Sequence, residues 1–275
     1  MSFKSSCASR LFGKFASKEF CSPVQNFINN TYVKLMGVDL SECASYDKYS
    51  SLNGLFTRAL KSPRVFESND DEFISPCDAF ISECGDVTDE KALQIKGHSY
   101  RVKNLLSDFV LKDEKKRIMG GKYINFYLSP KDYHRYHTPF DMRVKKAVHI
   151  PGKLYPVNFK WLHKVPELFI ENERVVLECY TKDEKLFYMV FVGALNVGKM
   201  QFIFDHNIQT NAKSSMEQFY DYKNLWLSKG DELGRFEMGS TIVMFFEKDM
   251  VELVCKKNEP IRFTDKIAIK SSHNS

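Results

Sequence analysis

The change of texture near Phe73 constrains this chain more than any other feature. Beyond it, apolar, aromatic and β-branched residues gather in short runs: Phe80-Ile81, Tyr123–Leu128, Val144–Ile150, Val175–Cys179, Phe187–Val192, Met200–Phe204, Thr241–Phe246 and Ile261–Ile269. Most are bounded by Gly, Pro, Asn or Asp, so they end before a helix could bury a face, and strands are the natural expectation. Before Phe73 the apolar residues instead recur at helical spacing. The fold expected is therefore α+β, with a helical region over 1–62 and a β-rich body over 63–275.

In the helical region, Leu11, Phe12 and Phe15, then Val24, Phe27 and Ile28, then Val33, Leu35 and Met36 mark short amphipathic helices. Ser22-Pro23 suits a helix start and Gly37 a stop. A further helix is expected over Ser51–Leu60, with Leu52, Leu55, Phe56 and Leu60 on one face. Amphipathicity allows two readings: packing on the body, or lying in a membrane interface with Lys14, Lys18 and Lys34 near headgroups. Because Lys14, Lys18 and Glu19 interrupt Leu11–Phe20, no secretory or spanning segment is expected, and contact with a bilayer would be from one side.

A chain of 275 residues, 43% hydrophobic and 14% aromatic, can bury one sizeable core. Its net charge of +5 is spread through mixed runs such as Lys112–Arg117, and without an arginine-rich tail or RNA-binding signature no nucleic-acid partner is expected. Seven cysteines without a CxxC pair read as free thiols, Cys77 among them as a small buried filler.

Three separated segments carry the chemistry. In Glu237-Met238-Gly239-Ser240-Thr241, a glycine can take strained backbone angles and let the next hydroxyl reach the preceding carbonyl. Attack of Ser240 Oγ on the Gly239 carbonyl converts amide to ester. β-Elimination then frees the Gly239 carboxylate, and loss of ammonia on hydrolysis leaves an N-terminal pyruvoyl group at 240. A serine hydroxyl needs a base for this. The segment Tyr127-Leu128-Ser129-Pro130-Lys131-Asp132-Tyr133-His134-Arg135-Tyr136-His137-Thr138-Pro139 offers two of the seven histidines, three residues apart. Such a pair could also ligate a metal, although no glutamate of a zinc-protease helix accompanies it. Asp78, in Ser75-Pro76-Cys77-Asp78, is either a turn former or an orienting carboxylate.

The order Ser-Pro-x-Asp, then Tyr-Leu-Ser-Pro-x-Asp-Tyr-His-Arg-x-His-x-Pro, then Gly-Ser-Thr resembles the phosphatidylserine decarboxylase family. Ser9-Arg10-Leu11-Phe12-Gly13, Asn53-Gly54-Leu55-Phe56-Thr57-Arg58, Lys96-Gly97-His98, Gly152-Lys153-Leu154-Tyr155-Pro156 and Val192-Gly193-Ala194-Leu195-Asn196 extend the likeness from about residue 9 to at least 248. Ala79 stands where the family usually has glycine, and Met238 and Phe140-Asp141-Met142 also depart, but no reacting group is lost.

The resemblance implies a proenzyme that cuts itself between Gly239 and Ser240 into 1–239 and 240–275, with Asp78, His137 and Ser240 as a protease-like triad. The pyruvoyl group made from Ser240 would form a Schiff base with phosphatidylserine and serve as electron sink for decarboxylation to phosphatidylethanolamine, with His134 assisting and neither metal nor PLP required. It further implies phospholipid as substrate and the two cleaved chains as a heterodimer, with higher oligomers open. Peripheral attachment to the cytoplasmic face of the cell membrane is expected with it. The alternatives are a pyruvoyl-dependent decarboxylase of a soluble amino-acid-like substrate, an intact-chain Ser-His-Asp hydrolase, and a noncatalytic membrane-binding protein.

Overall fold

The computed structural model of the chain describes residues 12–67, 69–88, 91–95, 98–107, 110, 112–157, 168–194, 199–208, 210, 216–237 and 240–271. It is a β-rich α+β protein, as expected. Helix α1 (Ser22–Met36) carries Pro23 in its first turn and ends at Gly37, whose φ of 68° gives the left-handed cap that glycine adopts without strain. Cys21, rather than Ser22, holds the N-cap position. Helix α2 (Leu52–Phe56) is shorter than the expected Ser51–Leu60. It is capped by Ser51 Oγ on the Gly54 amide at 3.1 Å, and the chain then leaves helical geometry so that Leu60 can form a bridge with Cys43.

Helix α1 packs Ile28, Tyr32 and Val33 half-buried against the body, but departs from an ordinary packed helix on either side of them. Its buried residues are Gln25 and Asn29, whereas Phe27 is 72% and Leu35 75% exposed. Burying an amide side chain is favourable only when its hydrogen bonds are met, and Asn29 Nδ2 donates to the carbonyls of Tyr46 and Tyr49 at 2.9 and 3.0 Å. Beneath it Ala16, Leu52, Leu55 and Phe56 form a small apolar cluster of their own.

The body is built on an eight-stranded antiparallel sheet of β2 (Ala79–Asp86), β5 (Lys122–Leu128), β7 (Met142–Ile150), β8 (Arg174–Tyr180), β9 (Leu186–Gly193), β11 (Gln218–Leu227), β13 (Ser240–Phe246) and β15 (Pro260–Ile261), while β3 (Lys91–Ile95) and β4 (His98–Arg101) pair with each other. Across the large sheet the order is β11-β7-β8-β9-β13-β5-β2-β15. Both faces of its centre are covered, which is why β8, β9 and β13 read as continuous apolar runs rather than alternating ones. Ile242, Met244 and Phe246 join one core cluster, and Val243 and Phe245 the other.

Two three-stranded sheets contribute to the first cluster: β1 (Glu72–Ile74), β16 (Lys266–Lys270) and β14 (Val251–Leu253), and β10 (Met200–Phe202), β12 (Glu232–Phe236) and β6 (Arg135–His137). The apolar stretch Ile261–Ile269 is thus not one strand. It breaks at a turn closed by the Asp265 amide on the Arg262 carbonyl, which places Phe263 between β15 and β16. β11 escapes a hydropathy reading because all of its positions are exposed or half-buried, and β6 and β12 because they are short and carry charged residues among their buried ones.

Phe73 of β1 locks the smaller sheet onto the larger, stacking on Phe140 at 4.2 Å and meeting Phe187 and Phe246 edge-on at 5.6 and 5.3 Å. Phe73→Ala should cost about 3–5 kcal/mol through lost contact and a residual cavity, read from urea denaturation of the purified variant. A loss below about 1 kcal/mol would mean that the two sheets are held together elsewhere.

Candidate active site

Residue 240 opens β13, an interior strand of the large sheet. Its backbone lies opposite Leu128 of β5 and Gly193 of β9, and both ladders continue without a shift to Phe246. Gly239 and Met238 lie outside the described residues. The approach to this point is β12, whose antiparallel partner is β6, with Arg235 opposite Arg135 and Glu232 opposite His137. The Phe236 amide donates to the His134 carbonyl at 3.0 Å. Two sequence-distant segments, the histidine motif and the run into Gly-Ser-Thr, are therefore backbone neighbours.

The motif leaves β5 through a turn in which Asp132 Oδ2 accepts the Ser129 amide at 2.7 Å and the Asp132 amide returns to the Ser129 carbonyl. Its two histidines then enter different surroundings. His134 is fully buried, with Phe56 against its ring at 3.9 Å between centroids. Its Nδ1 lies 2.9 Å from the Asp132 carbonyl, an acceptor only, so Nδ1 carries the proton and Nε2 the lone pair. That Nε2 is buried without a hydrogen-bond partner. Burial, opposed by the Asp132 bond and reinforced by Arg58, depresses its pKa to about 3.

His137 is held by the same logic, its Nδ1–H on the Gly230 carbonyl at 3.0 Å, but its Nε2 accepts the Tyr133 hydroxyl at 3.1 Å. The ring lies flat on Phe263, 3.7 Å away at 12°. Burial is again the main reason that its pKa falls, to about 4. Gly230 has φ 88°, and a Cβ there would stand 2.7 Å from the Phe66 ring, so only glycine can offer that carbonyl without displacing its neighbours.

Asp78 sits beside this histidine without bonding to it. Its carboxylate is taken by the Arg64 guanidinium, at 2.9 Å for Nη2 to Oδ2, and by the Phe263 amide at 2.8 Å. Arg64 is also paired with Glu42, and the two carboxylates raise its already high pKa further against the opposing effect of burial. The structure brings Asp78 and His137 together through Phe263, whose amide serves one and whose ring covers the other. The preceding loop is tied to β6 by the His137 amide on the Pro76 carbonyl at 2.8 Å. Cys77 is wholly buried and its thiol pKa is pushed well up, in keeping with a filler. Among the described residues no group of three or more His, Cys, Asp or Glu side chains could hold a metal.

Residues 52–269 match the sequence profile described as phosphatidylserine decarboxylase. The chain belongs to the phosphatidylserine decarboxylase family. It is 48% identical over 265 residues to a phosphatidylserine decarboxylase proenzyme of Campylobacter jejuni, covering 95% of this chain and 97% of that one. It is 47% identical to one of Helicobacter pylori, covering 94% and 96%, and 37% identical to one of Shewanella loihica, covering 92% and 89%.

Several groups around this decarboxylase-family site were not visible as such in the sequence: Arg64 on Asp78, Tyr133 and Gly230 on His137, Phe263 between them, and Glu232 in a bidentate pair with Arg135 at 2.9 Å. Tyr133 lay inside the motif already singled out. The others come from distant segments and carried no local signal.

Both histidines make stability pH-dependent. An unfolded histidine takes up its proton near pH 6.5, whereas these do so only near about 4 and about 3. Between those limits the unfolded chain binds more protons, so stability is full above about pH 6.5 and falls as pH drops, by at most about 1.4 kcal/mol per unit per histidine. Urea midpoints of the Ser240→Ala protein from pH 7 to 5 should show this fall, and His137→Gln should flatten it. An unchanged slope in that variant would show that His137 is not held neutral.

Proposed function

We infer that this chain is a phosphatidylserine decarboxylase proenzyme, a lyase that matures by cutting itself between Gly239 and Ser240 and then decarboxylates phosphatidylserine to phosphatidylethanolamine. The observation that carries this reading is the match over nearly the whole chain to curated proenzymes of that name, with Asp78, His134, His137 and Ser240 in the order the family motifs require. The soluble-substrate, hydrolase and noncatalytic alternatives have no comparable support.

In maturation, His137 Nε2 takes the Ser240 proton, its lone pair released as the Tyr133 hydroxyl gives way. Fixing Nδ1–H on the Gly230 carbonyl selects that tautomer and ring orientation. Asp78 does not perform this fixing directly. It favours the protonated imidazole through its charge and steadies the ring through Phe263. Deprotonated Ser240 Oγ converts the 239–240 amide to an ester, and elimination and hydrolysis follow with release of the Gly239 carboxylate and ammonia. Cleavage separates 240–275, with β13 to β16, from the rest. Those strands remain laddered to β5, β9, β2 and β1, so the two pieces share one core as a heterodimer.

The pyruvoyl group left at 240 supplies a ketone that condenses with the substrate amine and accepts the electron pair released with carbon dioxide. Support for a polar group at this place comes from orphaned atoms: Ser129 Oγ, His134 Nε2 and Thr241 Oγ1 are buried without partners, on segments that meet at residue 240. His134 enters as neutral imidazole with its lone pair free. It can take a proton from the incoming ammonium, and the substrate's own negative groups raise its proton affinity as they arrive. The same nitrogen can return that proton to the α-carbon.

Peripheral attachment to the cytoplasmic face of the cell membrane is part of this reading, and the exposed apolar groups of α1 support the membrane contact it needs. Val24, Phe27 and Leu35 form an exposed apolar stripe, Phe15 is 44% exposed nearby in sequence, and Lys34 lies in the last turn. A helix that packs one apolar face on the body and exposes a second one is suited to the headgroup boundary of a bilayer. No described helix is long and apolar enough to cross one.

Intact-protein mass spectrometry should find wild-type residues 1–239 and 240–275, the latter one ammonia lighter than a serine-started peptide, while Ser240→Ala stays whole. A folded wild-type chain that remains uncut on phosphatidylserine vesicles would sink this reading. Phe27→Glu with Leu35→Glu should weaken flotation with anionic liposomes by about tenfold or more, since each removes apolar contact and adds like charge. Unchanged flotation would place membrane contact elsewhere.

A further inference from the structure

Arg58 is a buried cation with no carboxylate of its own. It is 3% exposed, and among the described residues it makes no ion pair, although Arg64, Arg135, Arg143 and Arg262 each have one. Its Nη2 donates to the carbonyls of Lys131 at 2.7 Å and Asp132 at 3.0 Å, and its Nε and Nη1 are buried without partners. Desolvating a guanidinium without an anion is costly, so its retention calls for a specific role.

The carbonyls it grips point to that role. The Asp132 oxygen also accepts His134 Nδ1–H, so one oxygen joins the Arg58 fork to the catalytic-motif ring. The residues on either side act on the same segment: Phe56 lies on the His134 ring, and the Thr57 carbonyl accepts Arg135 Nε at 3.1 Å. Three consecutive residues, each by a different kind of contact, thus hold the stretch from Lys131 to Arg135.

We propose that Arg58 is a positioning residue for the decarboxylation step, holding the Asp132 carbonyl so that His134 presents a neutral, unpartnered Nε2 in a fixed direction. This rests on the role of His134 inferred above. The arginine acts twice, through the geometry of the shared oxygen and through its uncompensated charge, which disfavours a second positive charge on the ring. Burial is the larger influence on His134 and Arg58 the charged one. The other titratable groups on the segments packed against this ring are engaged elsewhere: the Asp132 carboxylate on the Ser129 amide, Arg135 on Glu232, and Glu237 on Gln201. Nothing else nearby substitutes for the arginine's field.

Arg58→Lys and Arg58→Met separate the two actions. Both should still yield the 1–239 and 240–275 fragments by intact mass. Arg58→Met should lower kcat on phosphatidylserine in mixed micelles by about a hundredfold, the scale of a misplaced catalytic group, with KM little changed. The acid limb of its pH–kcat profile should move to higher pH. Arg58→Lys keeps the charge and loses the fork, so kcat should fall while the acid limb stays where the wild type has it. A KM rise at constant kcat would overturn the proposal in favour of direct anion binding, and a pH profile unmoved in Arg58→Met would reduce Arg58 to a structural role.

Should either variant fail to process, nitrogen-15 NMR of histidine-labelled Ser240→Ala protein, with and without Arg58→Lys or Arg58→Met, reads the ring itself, assigned by His134→Gln. The Nδ1–H tautomer should dominate with Arg58 present and mix with the other tautomer in Arg58→Met. An unaltered His134 signal in that variant sinks the proposal. Wild-type turnover is the control that keeps this outcome distinct from failure of the decarboxylase reading.

Discussion

Everything in this molecule depends on β13 being gripped along both edges. The proposed self-cleavage would have to break a peptide bond without releasing either piece, and the ladders to β5 and β9 suit that demand. Residue 240 is the first residue of that strand, so the proposed cut would fall where the hydrogen-bonded register begins rather than inside it. From there to Phe246 every position is paired on both sides, and alternate side chains enter the two core clusters. The strand needs no covalent tether to stay, because leaving would expose both of its faces and unpair both of its edges.

Within this frame the division of chemistry proposed for the two motif histidines rests on environment rather than on residue type. Each has Nδ1–H on a backbone carbonyl, and each is made a weak base by burial. They differ at Nε2: His137 meets the Tyr133 hydroxyl and a wall formed by Phe263, close to Asp78, while His134 meets nothing among the described residues. A nitrogen whose lone pair is already satisfied suits a step performed once in the life of the protein. One left unsatisfied suits a step repeated with each substrate, since the incoming group supplies the missing bond.

How much of this was legible in the sequence follows from the range of the interactions. The strands β8, β9 and β13 declared themselves because burial on both faces demands unbroken apolar runs, and α1 through its Pro23 start and Gly37 stop. The reacting residues were legible because their motifs are local: His134 and His137 share one loop and one short strand, and Ser240 follows a glycine. What was not legible is non-local. Nothing near Asp78 announces that Arg64 will take its carboxylate, and nothing near His137 announces that Gly230, far along the chain, will orient it. The edge strand β11 has a half-exposed, charged sequence, and the charged β6 and β12 are too short for a period to register. Of the triad expected from the resemblance, the Asp78–His137 pair is not directly bonded: a carbonyl orients the histidine, and the carboxylate reaches it through Phe263.

The helical layer is more than a cover. Tyr32 of α1 donates its hydroxyl to the Pro130 carbonyl at 2.9 Å, Arg58 holds the next two carbonyls, and Thr57 accepts from Arg135. One loop, Ser129 to Arg135, is therefore gripped from above by the layer that carries the exposed apolar stripe, and from the side by β12. Asn29 fixes α1 to the carbonyls of Tyr46 and Tyr49, so the stripe and the loop are joined through hydrogen bonds whose loss would leave buried polar groups unpaired. On the proposed function, a substrate whose acyl chains stay in the bilayer would bring its amine to a point set by the sheet. The helical layer links those two surfaces, with Tyr32, Phe56, Thr57 and Arg58 as its contacts to the loop that carries His134.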